Sequence, residues 1–223
     1  MTLRSLLHGA FVALITSSLV YSMALTSGHA DVPIAATADD IQPLQVGDPA
    51  PRFIVENVDG SPYDFDPNHL DKPTLLLTFR GGWCPYCNTY LSDMRFVIPE
   101  IRDMGVDVLF LSGDRAAILY DSLSKEAQED IEGLDYTILS DANAQAAIAL
   151  GIAFRANERT RNYVRGKGAL ENSSIDRHGV LPVPAVFAVD SAGVIRYAFT
   201  NPNYKVRLPA DELLAVARQI AAE

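Results

Sequence analysis

The chain has 223 residues, 48% of them hydrophobic, and 18 basic against 28 acidic side chains give a formal net charge of -10. That length holds one domain with a full core, while the negative balance excludes a surface built for nucleic acid or for an anionic membrane. With two cysteines the chain is no disulfide-dense scaffold, and no internal repeat or low-complexity block is evident.

Residues 1–30 carry Arg4 and His8 ahead of an apolar stretch, Ala10 to Leu25, and end in the small-x-small sequence Gly28-His29-Ala30. Thr16, Ser17 and Ser18 interrupt the run, so it reads as a secretory signal peptide, with an uncleaved membrane anchor as the rival. The expected address is therefore exported, periplasmic or secreted, with no membrane contact once the leader is removed. In an oxidising compartment a close cysteine pair stays reduced only if an external reductant maintains it.

Residues 31–46 are rich in Ala, Pro and Asp without periodicity and are expected to form a linker; the domain is expected at 47–223. Phe53 to Val58 predicts a strand, and the turn Asp59-Gly60 leads to Tyr63-Asp64-Phe65. Thr74 to Phe79 is continuously apolar apart from its threonines, the character of a central strand covered on both faces.

Next comes Gly81-Gly82-Trp83-Cys84-Pro85-Tyr86-Cys87, with the only tryptophan and the only two cysteines of the chain. The spacing of Leu91, Met94, Ile98 and Ile101 predicts a helix from Pro85, kinked by Pro99 and ended by Gly105. Cys84 then stands at a strand-loop-helix turn, where helix-terminal amides favour a thiolate, and Cys87 lies one turn along, within disulfide reach. Closed structural zinc needs four ligands and no second pair exists, Asn88 occupies the histidine position of a haem-attachment motif, and so short a disulfide loop removes little chain entropy. Redox chemistry is the reading left.

Val106 to Leu111 predicts a further buried strand closed by Ser112-Gly113-Asp114, Arg115 to Ile131 a helix, and Tyr136 to Leu139 a short strand. Ser140-Asp141 is placed to cap a helix from Ala142 to Leu150. Residues 154–182 break the alternation: Arg155, Arg159, Arg161, Arg165, Lys167 and Arg177 outnumber Glu158, Glu171 and Asp176. This basic insertion is expected to be a long loop with at most one short helix, either solvated or forming a lip that holds a thiolate or docks an acidic partner. Val186 to Val189 and Val194 to Phe199 predict a hairpin, and Ala210 to Ala222 a final amphipathic helix. The whole is an α/β sandwich of three layers with a mixed central sheet flanked by helices.

Val46-Gly47-Asp48-Pro49-Ala50-Pro51-x-Phe53, the Trp83-to-Cys87 motif, Val183-Pro184-Ala185-Val186-Phe187 and Asp190-x-x-Gly193-Val194-Ile195 together resemble the thioredoxin superfamily, in its peroxiredoxin-like, alkyl-hydroperoxide-reductase branch. The resemblance covers most of residues 46–223 and implies a thioredoxin-like fold. It makes Cys84 the attacking thiol and Cys87 its resolver, puts Pro184 at the place of a cis-proline facing the pair, and makes Arg207, with Arg80, a candidate positive group near the thiolate. Leu77 and Gly81 stand where typical peroxiredoxins carry proline and a hydroxyl residue, and Thr78 where thioredoxin carries a buried acid.

The implied activity is a thiol-dependent peroxidase, with a hydroperoxide as substrate, a thioredoxin-like dithiol as reductant and no bound cofactor. One alternative is a thiol-disulfide oxidoreductase acting on exported proteins. Another is a non-enzymatic module holding a soft metal ion with both thiolates and His178. The oligomeric state stays open.

Overall fold

All six residues of Thr74–Phe79 (β3) are buried. Leu75, Leu77 and Phe79 enter one core and Leu76 the other, so the uninterrupted apolar run is a strand sandwiched between layers. The computed structural model describes residues 33–168, 171 and 173–222. The expected leader lies outside the described residues. No helix among those described is long and apolar enough to cross a membrane.

The chain runs Phe53–Glu56 (β1), Pro62–Phe65 (β2), β3, Pro85–Met94 (α1), Ile98–Asp103 (α2), Asp107–Ser112 (β4), Lys125–Ile131 (α3), Thr137–Ser140 (β5) and Gln145–Ala149 (α4). It continues through Ala153–Arg155 (β6), Glu158–Gly166 (α5), Ser174–His178 (α6), Val180–Pro182 (β7), Ala185–Val189 (β8), Ile195–Thr200 (β9) and Ala210–Ala221 (α7). The sheet order is β2-β1-β5-β4-β3-β8-β9. β4 runs parallel to both β3 and β5, and the outer pairings are antiparallel, which gives the mixed sheet expected.

One face is covered by α1, α2, α3 and α7, whose Leu91, Ile101, Ala127 and Leu213 meet β3 and Phe110 of β4. The other is covered by α4 and the segment before β1. In α7, Leu213, Val216, Ala217 and Ile220 keep the spacing of one helical face, and each large aliphatic side chain so buried contributes about 1.5–3 kcal/mol.

Five expectations need correction. The linker is no tether from Pro33 onward: Ala35 bonds Ala153 and Arg155, Leu44 bonds Leu150, and Ile34, Ile41 and Leu44 pack on the second core. The helix from Pro85 breaks at residues 95–97, ahead of Pro99, because proline fits the first turn of a new helix better than the interior of an old one. Residues 115–131 hold a 3-10 turn, Ala116–Ile118, and then α3, because Ser124 caps a fresh start by accepting from the Ala127 amide. The helix expected at 142–150 shortens to α4, since Ala144 adopts a left-handed conformation (φ 57°).

The basic insertion differs most. It contains α5, capped by Asn157, and α6, capped by Ser173 and closed by left-handed Gly179, between the strands of a second, two-stranded sheet, β6-β7. Ala156, Val164, Ile175 and Leu181 give it a small core, against which Trp83 and Phe154 pack. The caps were in the sequence, but alternating charge hid the few apolar positions that make the helices worth forming.

Candidate active site

Cys84 is the N-cap residue of α1 and Pro85 its first residue, a position that needs no amide donor. The Cys84 amide donates to the Gly81 carbonyl (3.1 Å), and the Cys84 carbonyl accepts from the amides of Cys87 (3.0 Å) and Asn88 (3.2 Å). Both thiols are free and buried, Cys84 2% exposed and Cys87 fully enclosed.

The two sulfurs have opposite tendencies. The hydrogen bond from Cys87 is the largest influence on Cys84; with the Cys87 amide and the charges of Arg80 and Arg207 it overcomes burial and lowers the Cys84 pKa to about 6. Burial is the largest influence on Cys87, and together with the neighbouring Cys84 it pushes that thiol well up. The two opposite tendencies favour the thiolate on Cys84 and the proton on Cys87 near neutral pH.

Arg207, from the loop between β9 and α7, lies against the cysteine pair: its Nη2 is 3.5 Å from Cys87 Sγ, and its Nη1 donates to the Tyr204 and Val206 carbonyls. Arg80, just past β3, is 7% exposed, with its guanidinium 5.2 Å from the Trp83 ring centre and 4.6 Å from that of Tyr204. His178 ends α6, and among the described residues no group of three or more His, Cys, Asp or Glu gathers to hold a metal.

Pro184 lies between β7 and β8, beside the site, but the expected cis bond is absent: every described peptide is trans. Thr78 holds the segment. Its hydroxyl donates to the Val183 carbonyl (3.1 Å) and accepts from the Ala185 amide (2.9 Å), while the Val183 amide donates to Ile152. The backbone edge at Val183 and Ala185, where an extended partner strand could bond, is thus occupied from within.

Four supporting residues were given no role in the sequence. Asp114, fully buried after β4, accepts from the Gly82 amide (2.7 Å) and the Ser122 hydroxyl (2.8 Å). Asn88 donates to the carbonyls of Gly82 (2.7 Å) and Cys84 (3.1 Å) and accepts from the Ser124 amide (2.8 Å). Trp83 and Tyr204 form the aromatic walls around Arg80. Asp114 was visible only as the end of a strand, and Asn88 only as a residue that was not histidine.

These supports explain Gly81 and Gly82. A Cβ on Gly81 (φ 136°) would fall 2.5 Å from both Asp114 Oδ1 and Trp83 Nε1, and one on Gly82 would lie 2.3 Å from the Ser122 hydroxyl. The hydroxyl residue common in peroxiredoxins has no room here, because the carboxylate and the indole fill its place.

Known proteins share the architecture. The chain is 28% identical over 112 residues to peroxiredoxin Bcp of Escherichia coli K12, covering 50% of this chain and 67% of that one. It is 26% identical over 87 residues to the thiol-disulfide oxidoreductase ResA of Bacillus cereus, covering 39% of this chain and 49% of that one, so it spans about half of that relative's length. Among solved structures, a peroxiredoxin-like protein from Aquifex aeolicus matches with TM-score 0.61 at 20% identity, over 80% of this chain and 89% of that one. Peroxiredoxin 6 of Arenicola marina matches with TM-score 0.62 at 19% identity, over 81% and 76% of the two chains. The fold is the thioredoxin-like fold of the peroxiredoxins. The AhpC/TSA family model matches residues 46–198, more than half of the chain and all of the site but Tyr204 and Arg207, and the protein belongs to that family.

Proposed function

We propose that the protein is an exported thiol-dependent peroxidase that uses Cys84 and Cys87. The observation that carries the reading is the asymmetric pair: a thiol lowered to about 6 at the start of α1, beside a fully enclosed thiol that keeps its proton. Cys84 thiolate attacks the terminal oxygen of a hydroperoxide; the O–O bond breaks, an S–O bond forms, and the alcohol or water leaves with a proton. Cys87 then attacks the Cys84 sulfenic acid, forming the disulfide and releasing water. An external dithiol of thioredoxin type returns two electrons. Arg80 and Arg207 stabilise the thiolate and the oxygen charge that develops, in place of the hydroxyl that Gly81 lacks.

Thiol-disulfide exchange is the second reading, and the match to ResA favours it. The occupied edge at Val183 and Ala185 weighs against it, because an extended protein substrate finds no free amide there.

Rapid mixing separates the two. Cys87→Ser exposed to one equivalent of hydrogen peroxide is expected to accumulate a sulfenic acid on Cys84 that a dimedone probe traps, and Cys84→Ser to trap nothing. A peroxide rate no faster than that of an unactivated thiol corrected for thiolate fraction, beside efficient mixed-disulfide formation with an oxidised protein, would make exchange the function.

A further inference from the structure

Trp83, the residue next to Cys84 in the chain, lines a cleft of about 520 Å³ together with Arg80, Arg159, Tyr163, Pro184 and Tyr204, among others. That is the size of a small-molecule site. One wall comes from α5 of the basic insertion and another from the loop after β9, so the cleft belongs to the tertiary structure and to no single motif.

Its charge is unbalanced. Arg80 is more than nine-tenths buried, its Nε has no hydrogen-bond partner, and among the described residues no carboxylate pairs with it. The thiolate of Cys84 supplies one negative charge, and Arg80 and Arg207 both act on it, which leaves one cation over. Arg159 adds another at the exposed rim. Burying a guanidinium without an anion is costly, and it is consistent with this that burial lowers the Arg80 pKa. The aromatic walls, with Trp83 and Tyr163 edge to face at 6.2 Å, suit a flat or apolar body.

A protein strand fits poorly. The floor is Pro182-Val183-Pro184, where two residues lack an amide and the third bonds Ile152 and Thr78. We infer that the cleft binds a small organic hydroperoxide bearing a carboxylate, with the acid group on the Arg80 and Arg159 cations and the apolar body between Trp83, Tyr163 and Tyr204. The bound molecule presents its O–O bond to Cys84; the terminal oxygen passes to sulfur and the remaining alkoxide takes a proton to leave as the hydroxy acid. The inference rests on the peroxidase reading for that reacting step only.

Trp83, the sole tryptophan, gives a direct readout of the cleft. Benzoate titrated into reduced protein is expected to change its fluorescence saturably, with affinity lowered about tenfold in Arg159→Gln, the loss of one charge-assisted contact. Arg177→Gln, the same charge change on α6 outside the cleft lining, is expected to keep the original affinity. Equal binding of benzyl alcohol and benzoate, or no saturable change, overturns the carboxylate site.

The reacting partner is tested by rate. A para-carboxylated cumene hydroperoxide is expected to react about tenfold faster than cumene hydroperoxide, with the ratio falling toward one in Arg159→Gln. If the preference appears only when mercaptopropionate is compared with mercaptoethanol on the disulfide form, the cleft serves the reductant and the hydroperoxide assignment falls. Benzoate binding with no activated reaction toward either hydroperoxide would sink the peroxidase reading and leave the carboxylate site standing. Fast reaction with both hydroperoxides and no preference would sink the inference alone.

Discussion

Two strand-to-helix junctions in this molecule hold a buried acid at the start of a helix, and they treat it oppositely. At the junction of β3 and α1, Cys84 is lowered to about 6. At the junction of β5 and α4, Asp141 accepts from the amides of Ala146 (3.0 Å) and Ala147 (2.9 Å), yet its pKa is raised to about 7. Burial is the first cause at Asp141, and the amide bonds oppose it without overcoming it. No cation contributes there, whereas Cys84 has Arg80, Arg207 and the Cys87 thiol. Helix-start amides alone do not keep a buried group ionised; cations and a proton-donating neighbour do.

The largest way to break the comparison is to destroy one junction. Gly81→Thr places atoms where Asp114 and Trp83 already stand and strains the backbone, so a loss of about 3 kcal/mol or more is expected in urea unfolding. A loss under about 1 kcal/mol would mean that the loop can open without disturbing the core.

Removing the cations converts the first junction toward the second. In Arg80→Met with Arg207→Met, the Cys84 pKa is expected to rise toward the ordinary value of about 8.5, followed by thiolate absorbance against pH. The thiolate fraction at pH 7 falls with it, about thirtyfold for a rise all the way to that value and less while the Cys87 hydrogen bond persists, and the greater nucleophilicity of a more basic sulfur recovers part of the rate. A pKa still near that of the unaltered protein would assign the lowering to Cys87 alone.

The smallest effect sharpens the other side. Because Asp141 has a folded pKa of about 7, raised above the ordinary value near 3.9, the folded state holds the proton more tightly. Its contribution to stability is complete below pH ~4 and is lost as the pH rises through ~7. Asp141→Asn is expected to cost about 1 kcal/mol at pH 5, where one accepting oxygen is lost, and to narrow the gap by pH 8. Unfolding curves with the same pH slope in both proteins would remove Asp141 as a source of that dependence.

Much of the sheet was legible because its physics is local. β3 is an apolar run of strand length, and its bounds agree between sequence and structure. α7 keeps one apolar face through its whole length. The helices of residues 154–182 were not legible, since Val164 and Ile175 become a core only when they fold onto Leu181 of β7 and Trp83 packs on them from elsewhere in the chain. The trans form of Pro184 was equally hidden, because the clamp that holds its neighbours is Thr78, more than 100 residues earlier.

The sequence by itself determined the close spacing of the two cysteines, the helix start under Cys84 and the layered α/β architecture. Each follows from neighbours in the chain: the cysteine spacing, Pro85 at the first helical position, and apolar runs of the right period. Only the tertiary structure decided the electrostatics. Arg207 reaches Cys87 across 120 residues, Asp114 fixes Gly82 across 32, and α5 supplies one wall of the cationic cleft that holds Arg80 and Trp83. Charge acts through space, and its strength at a buried sulfur depends on distance and desolvation, which chain order does not encode.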